Sequence, residues 1–147
     1  MASRITQVVI AAVDPEVISR FWCDVLGWAK FEREGDDEVI CIGPADGVSG
    51  IDVLRVPNPK TLQNRLHIDL RADDVATADE LERLLALGAR RVDVGQPAGA
   101  SWTVLADPEG NEFCLLGRTL QEAALDPRAA TGFIASGPVP WRGSVQN

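Results

Sequence analysis

Residues 7–28 read QVVIAAVDPEVISRFWCDVLGW, and residues 67–89 read HIDLRADDVATADELERLLALGA. Each begins as a short strand, meets an acidic residue seven positions later (Asp14, Asp74), continues as an amphipathic helix and stops at glycine (Gly27, Gly88). An aspartate at that position can cap a helix, because its carboxylate accepts bonds from the free N–H groups of the first turn. Pro15 suits the first helical position, and Gly27 and Gly88 suit the left-handed residue that follows a helix. Val17, Ile18, Phe21, Trp22, Val25 and Leu26 share one face of the first helix. Ala78, Leu81, Leu84 and Leu85 share one face of the second. The chain therefore repeats once, with an offset of about 60 residues.

Working outward, each helix is followed by three β-rich runs. They fall at about 28–33, 38–43 and 50–56 in the first half, and at about 89–94, 102–106 and 112–117 in the second. EGDDE and PADGVSG separate the first set, and GQPAGAS and DPEGNE the second, as turn-forming stretches do. DPEGNE has neither the phosphate-loop nor the EF-hand spacing and reads as a turn set by Pro108 and Gly110. Each half is thus a βαβββ module, residues 5–57 and 65–117. They are joined by a linker, 57–64, whose prolines cannot continue a ladder. The expected fold is α+β. The two modules should form a curved mixed sheet, with helices on the convex face and a concave pocket.

Composition narrows the function classes. In 147 residues, 46% hydrophobic and 24% charged, there is material for one domain with a buried core. A net charge of −8 without a basic stripe argues against nucleic acid or an anionic membrane as partner. No apolar run approaches the ~20 residues of a membrane span, and acidic residues follow the start too soon for a secretory signal. Three cysteines (Cys23, Cys41, Cys114) with no C-x-x-C pair suit a reducing cytoplasm, and argue against a disulfide framework or structural zinc cluster. Cys23 and Cys41 read as small buried apolar residues.

The stretches DPEVISRFWCDVLGW, RVPNPKTLQNRLHIDLRADD and LADPEGNEFCLL occur in this order. Together they make residues 5–117 resemble the vicinal-oxygen-chelate superfamily of glyoxalase I, extradiol dioxygenases and bleomycin-resistance proteins. The likeness is strongest to its glyoxalase-like domain branch. In metal-using members, four ligands project from the first and last strands of the two modules. The matching positions here are Gln7, Leu54, His67 and Cys114, and both pairs, 7/67 and 54/114, keep the 60-residue offset. Leu54 and Cys114 depart from the usual His, Glu or Gln. The resemblance therefore implies an incomplete metal site. No cofactor is expected, and a divalent metal such as zinc would have only Gln7, His67 and Cys114 as ligands.

Strand alternation supplies the rest of the candidate site. His67 and Asp69 share one face, with Leu66, Ile68 and Leu70 on the other. Glu112 and Cys114 go together, as do Asp52 and Leu54. Trp28 and Trp102 could form aromatic walls for a planar ligand. His67, the only histidine, reads either as a hydrogen-bonding residue on the pocket wall or as one half of a thiolate–imidazolium pair with Cys114. The expected function is a small-molecule-binding protein or a metal-independent enzyme acting on an organic ligand. The alternative is a metal-dependent lyase or dioxygenase. Beyond residue 118 the tail, 119–147, opens with a short helix, LQEAAL. Phe133, Ile134 and Trp141 there are apolar enough to pack on the body or on a second subunit, which supports a homodimer.

Overall fold

The computed structural model describes residues 3–35, 38–47 and 50–125. Phe133, Ile134 and Trp141, and any contact they make, lie outside the described residues.

The repeat read from the sequence is present as two βαβββ modules. The first comprises β1 (Gln7–Ala12), α1 (Pro15–Leu26), β2 (Lys30–Glu34), β3 (Val39–Gly43) and β4 (Gly50–Arg55). The second comprises β5 (Asp69–Leu70), α2 (Thr77–Ala86), β6 (Arg90–Arg91), β7 (Trp102–Ala106) and β8 (Glu112–Leu116). A third helix, α3 (Leu120–Ala124), follows and begins with a capping box between Thr119 and Glu122. The strands form two four-stranded sheets, ordered β1-β4-β3-β2 and β5-β8-β7-β6. In each, the first strand runs parallel to the last and the other pairings are antiparallel. The expected α+β plan of two βαβββ modules holds, with the mixed sheet hydrogen-bonded as two open four-stranded parts. β1 and β5 are both outer strands, each on its own sheet.

Period-two alternation explains how the first sheet packs. Ile10, Ala12, Ile40, Ile42, Ile51 and Val53 are buried on one face, where α1 lies. Gln7, Val9, Ala11, Cys41, Asp52 and Leu54 occupy the other. Helix α1 presents Ile18, Phe21, Trp22 and Val25 to the core. The same core takes in Leu84, Leu105, Phe113 and Leu115 from the second module. Both modules thus bury their helix-bearing faces in one hydrophobic cluster.

The second module grips α1 at both ends. At the N-terminus, Asp14 caps as expected, accepting from the amides of Glu16 (3.1 Å) and Val17 (3.2 Å). The Glu109 carboxylate accepts from the preceding amides of Val13 (2.8 Å) and Asp14 (2.6 Å). At the C-terminus, Gly27 is left-handed (φ 63°). There Arg83 of α2 donates to the carbonyls of Asp24 (2.9 Å) and Val25 (2.8 Å). A carboxylate at the start and a guanidinium at the end both complement the helix dipole.

Three local expectations need correction. Asp74 does not cap α2. The helix begins three residues later, with Ala76 as an N-cap that has no side-chain bond. Asp74 instead adopts φ 55°, and its backbone and carboxylate bind the Gln121 side chain of α3. The fifth strand is two residues long and His67 precedes it; among the described residues the pairing with β8 begins only with the Cys114 amide donating to the Ile68 carbonyl at 2.9 Å. Leu66, expected to pack inward with Ile68 and Leu70, is 88% exposed for the same reason. On α2 only Leu84 is fully buried, with Leu81 and Leu85 half-buried and Ala78 exposed.

Candidate functional site

The open face of the second sheet carries a compact polar cluster. Cys114 in β8 is the register partner of Asp69 in β5 and of Val104 in β7. His67 reaches Asp69, with Nε2 3.2 Å from Oδ1. One ligand atom each from His67, Asp69 and Cys114 lie within 4.8 Å of one another. His67 and Asp69 are open to solvent, whereas Cys114 is buried beneath them. Burial, then the charge of Asp69 and a hydrogen bond to it, push the Cys114 thiol up to about 12. In the free protein Cys114 is therefore a neutral thiol that donates to Asp69, and Asp69 partners His67 as well.

At β6, β7 and the loop between them lies an open groove of about 520 Å³, lined by Arg91, Val92, Gln96, Trp102 and Val104 among others. Val104 lines the groove and is the register partner of Cys114 in β8, while His67, Asp69 and Cys114 themselves do not line it. Trp102, half-buried, supplies an aromatic surface and Arg91 a cation. Trp28 has a different position. It lies between α1 and β2, half-buried, and packs against the hydrophobic core.

The first sheet holds a separate group. Gln7 Nε2 donates to Asp52 Oδ2 at 2.5 Å, and Asp52 also accepts from Cys41. Burial, the hydrogen bond to Asp52 and its charge raise the Cys41 thiol to about 11. Leu54 lies on this same face and is partly exposed. The four superfamily ligand positions are thus divided, Gln7 and Leu54 on the first sheet, His67 and Cys114 on the second. Leu54 offers no donor atom, so the set is one ligand short. These residues do not fit a four-ligand centre.

Glu112 anchors the linker. Its carboxylate takes Lys60 Nζ at 2.7 Å and the amide of Asn64 at 3.0 Å, holding residues 60–64 against the end of β8. Burial pushes the Glu112 carboxyl up, but the bonds from Lys60 and Asn64 and the charge of Lys60 outweigh it, so the group sits below its ordinary value. A lowered carboxylate stabilises the fold above its unfolded value near ~4.3, and that contribution fades as pH falls through the folded value. Glu112→Gln should cost about 1–2 kcal/mol at pH 7 and little at pH 3. Urea titrations at the two pH values check this, and an equal cost at both would remove the ion pair from the account.

The sequence pointed to His67, Asp69 and Cys114, and the structure gathers them. It gave no sign of the parts played by Asp107 and Glu109. Asp107 is fully buried and accepts from the amides of Glu109 (3.0 Å) and Asn111 (2.9 Å), from Asn111 Nδ2 (2.8 Å) and, more weakly, from Trp22 Nε1 (3.4 Å). The DPEGN stretch is the expected turn, with Gly110 at φ 91°. It is also the clasp between the modules, a role visible only once α1 is packed against it.

Paired βαβββ modules, an open polar face on each sheet and helices on the buried faces define the vicinal-oxygen-chelate class. The family model described as "Glyoxalase-like domain" matches residues 7–116, and the chain belongs to that family. No curated protein matches it. Among solved structures it is similar to the fosfomycin resistance protein FosX from Mesorhizobium loti, at 17% identity and TM-score 0.61, covering 86% of this chain and 100% of that one. A FosX variant from Listeria monocytogenes, complexed with Mn(II) and 1S,2S-dihydroxypropylphosphonic acid, is 15% identical at TM-score 0.59, covering 83% and 95%. TnmS3, an antibiotic binding protein from Streptomyces, is 18% identical at TM-score 0.55, covering 78% and 95%. At these identities the likenesses establish the fold alone.

Proposed function

We propose that this protein binds a small, planar, oxygenated organic molecule on the open face of its second sheet. The observation that carries the reading is that one sheet bears both the Trp102–Arg91 groove and the His67–Asp69–Cys114 cluster, linked through the Val104–Cys114 pair of β7 and β8. An aromatic ligand can lie against Trp102. Its oxygens would meet the Arg91 guanidinium or the imidazole–carboxylate pair. The antibiotic-binding and resistance proteins of similar fold support a binder of small molecules. A lyase or dioxygenase acting through a four-ligand metal centre is the less favoured reading, since Leu54 has no ligand atom to complete one.

The probes for this reading are 2-naphthoate and catechol, one offering a carboxylate and the other paired hydroxyls. Saturable quenching of tryptophan fluorescence is expected for at least one. The signal should vanish in Trp102→Phe, and binding should weaken about tenfold in His67→Ala, the loss of one charge-assisted bond. An unresponsive Trp102 with both probes at millimolar concentration would remove the groove from consideration.

The protein acts as a homodimer in this reading, with a second copy of the chain against β1. That strand is the outer member of its sheet, and Ile5 (86% exposed) and Val9 (58%) make its surroundings apolar. An apolar outer strand with free backbone groups is a template for pairing. The outer strand β5 of the other sheet, next to exposed Leu66, gives the same chain a second such edge. Light scattering at tens of micromolar should give twice the chain mass for the wild type and the chain mass for Val9→Lys. A monomeric wild type would refute it.

A further inference from the structure

We propose that residues 126–147 of this chain turn back along the outer edge of β5, adding a strand to the second sheet and packing Phe133 and Ile134 over Leu66 and Leu62. Among the described residues β5 is the outer strand of its sheet. Ile68 turns its carbonyl inward, accepting from the Cys114 amide at 2.9 Å. Successive strand residues point their backbone groups to opposite sides, so those of Asp69 face the outer edge. An outer strand with open backbone groups is a template for a further strand. Just ahead of it, Leu62 is 80% exposed and Leu66 88%. Apolar residues gathered at such an edge mark a contact surface.

The described chain ends beside this edge. The Leu120 amide donates to the carbonyl of Ala72, two residues past β5, at 2.8 Å. Gln121 Nε2 donates to the carboxylates of Asp73 (2.6 Å) and Asp74 (2.9 Å). Helix α3 is thus fastened to the far end of β5, and its five residues carry the chain only about 8 Å along its axis. Asp126-Pro127 then leads out of the helix, because the residue before proline avoids the helical region. The next proline is Pro138. Between them RAATGFIASG, 128–137, has an N–H at every residue, and Thr131, Phe133 and Ile134 favour a strand. The lengths agree: at about 3.3 Å per residue, Ala72 back to Leu66 and Asp126 forward to Gly132 each span ~20 Å. An antiparallel tail therefore brings Phe133 and Ile134 to Leu66 and the approach to Leu62. A chain with β1 and β5 both open can add copies edge to edge without closing. A tail over β5 removes that route.

Two measurements on the full chain test this. In the first, Leu66→Cys and Phe133→Cys are combined, the folded protein is oxidised and its peptides are mapped by mass spectrometry. A 66–133 disulfide is expected, in protein that runs at the chain mass on a non-reducing denaturing gel. Glu32→Cys with Phe133→Cys should give none, because Glu32 lies on β2 of the other sheet. In the second, hydrogen exchange at the Asp69 amide is compared between the wild type and Phe133→Asp/Ile134→Asp. The amide should be protected in the wild type and exchange at least about tenfold faster in the variant. The amide of Val53, in the middle of the first sheet, should keep its rate. The proposal is overturned if no 66–133 disulfide forms. It is also overturned if the linked species runs at twice the chain mass, which would assign the edge to a second copy's tail. Asp69 protection that is absent from the wild type, or that persists in the variant, would overturn it as well. Neither readout involves 2-naphthoate, catechol or pairing at β1, so failure here and failure of the readings above remain distinct.

Discussion

Phe113→Ala should lower unfolding stability by about 3–5 kcal/mol, the cost of removing a large aromatic side chain from a packed interior. Phe113 is 1% exposed and lies on the buried face of β8. Its ring meets Trp22 edge-on at 5.2 Å between centroids and Phe21 at 6.1 Å, and those two rings meet each other at 5.5 Å. Trp22 and Phe21 belong to α1 of the first module, so the cavity would open on the seam between the modules. Edge-to-face pairs of this kind add to the burial term. Urea denaturation followed by circular dichroism should show the loss as a lower midpoint, and Phe113→Leu should recover part of it. A loss under about 1 kcal/mol would mean that the seam is not a shared core.

Asp107→Ala should cost a similar amount, about 3–5 kcal/mol, by a different route. The change leaves two backbone amides, the Asn111 amide and the Trp22 indole without the acceptor they share. Each buried donor left without a partner costs about 1–3 kcal/mol. Asp107→Asn keeps one carbonyl oxygen and should cost less. The turn also aims Glu109 at the amides of Val13 and Asp14, so its loss should reach α1 in the other module. Hydrogen exchange at Val13 and Asp14 should quicken in Asp107→Ala beyond what the global stability change explains. Unchanged local protection would confine Asp107 to its own turn.

How much of this was legible in the sequence depends on the range of the interaction. The six strand segments after the helices were found within a few residues wherever the strand is long, as with Trp102–Ala106, seen as 102–106. Their apolar/polar alternation is a local signal, set by the two-residue period of the backbone. The short strands β5 and β6 were overdrawn, because strand length depends on a partner that local pattern does not reveal. Asp14 and Asp74 looked equivalent as caps, yet only Asp14 stands next to its helix; Asp74 went to Gln121, 47 residues away. Cys114 looked the same from sequence whether inert, nucleophilic or metal-binding. Its state is set by burial in the sheet and then by Asp69, through a strand pairing that no local pattern encodes.

The sequence alone determined the repeated βαβββ plan, the burial of Trp22, the open face bearing His67 and the membership of a superfamily. These follow from periodicity and turn chemistry, which act between near neighbours. Only the tertiary structure decided that the strands divide into two sheets, that Glu109 and Arg83 hold α1 at its two ends, that Trp28 joins the core, and that Asp69 is the hub between His67 and Cys114. Each of these depends on groups distant in the chain meeting within a few ångströms, and hydrogen bonds and packing forces act only over such distances.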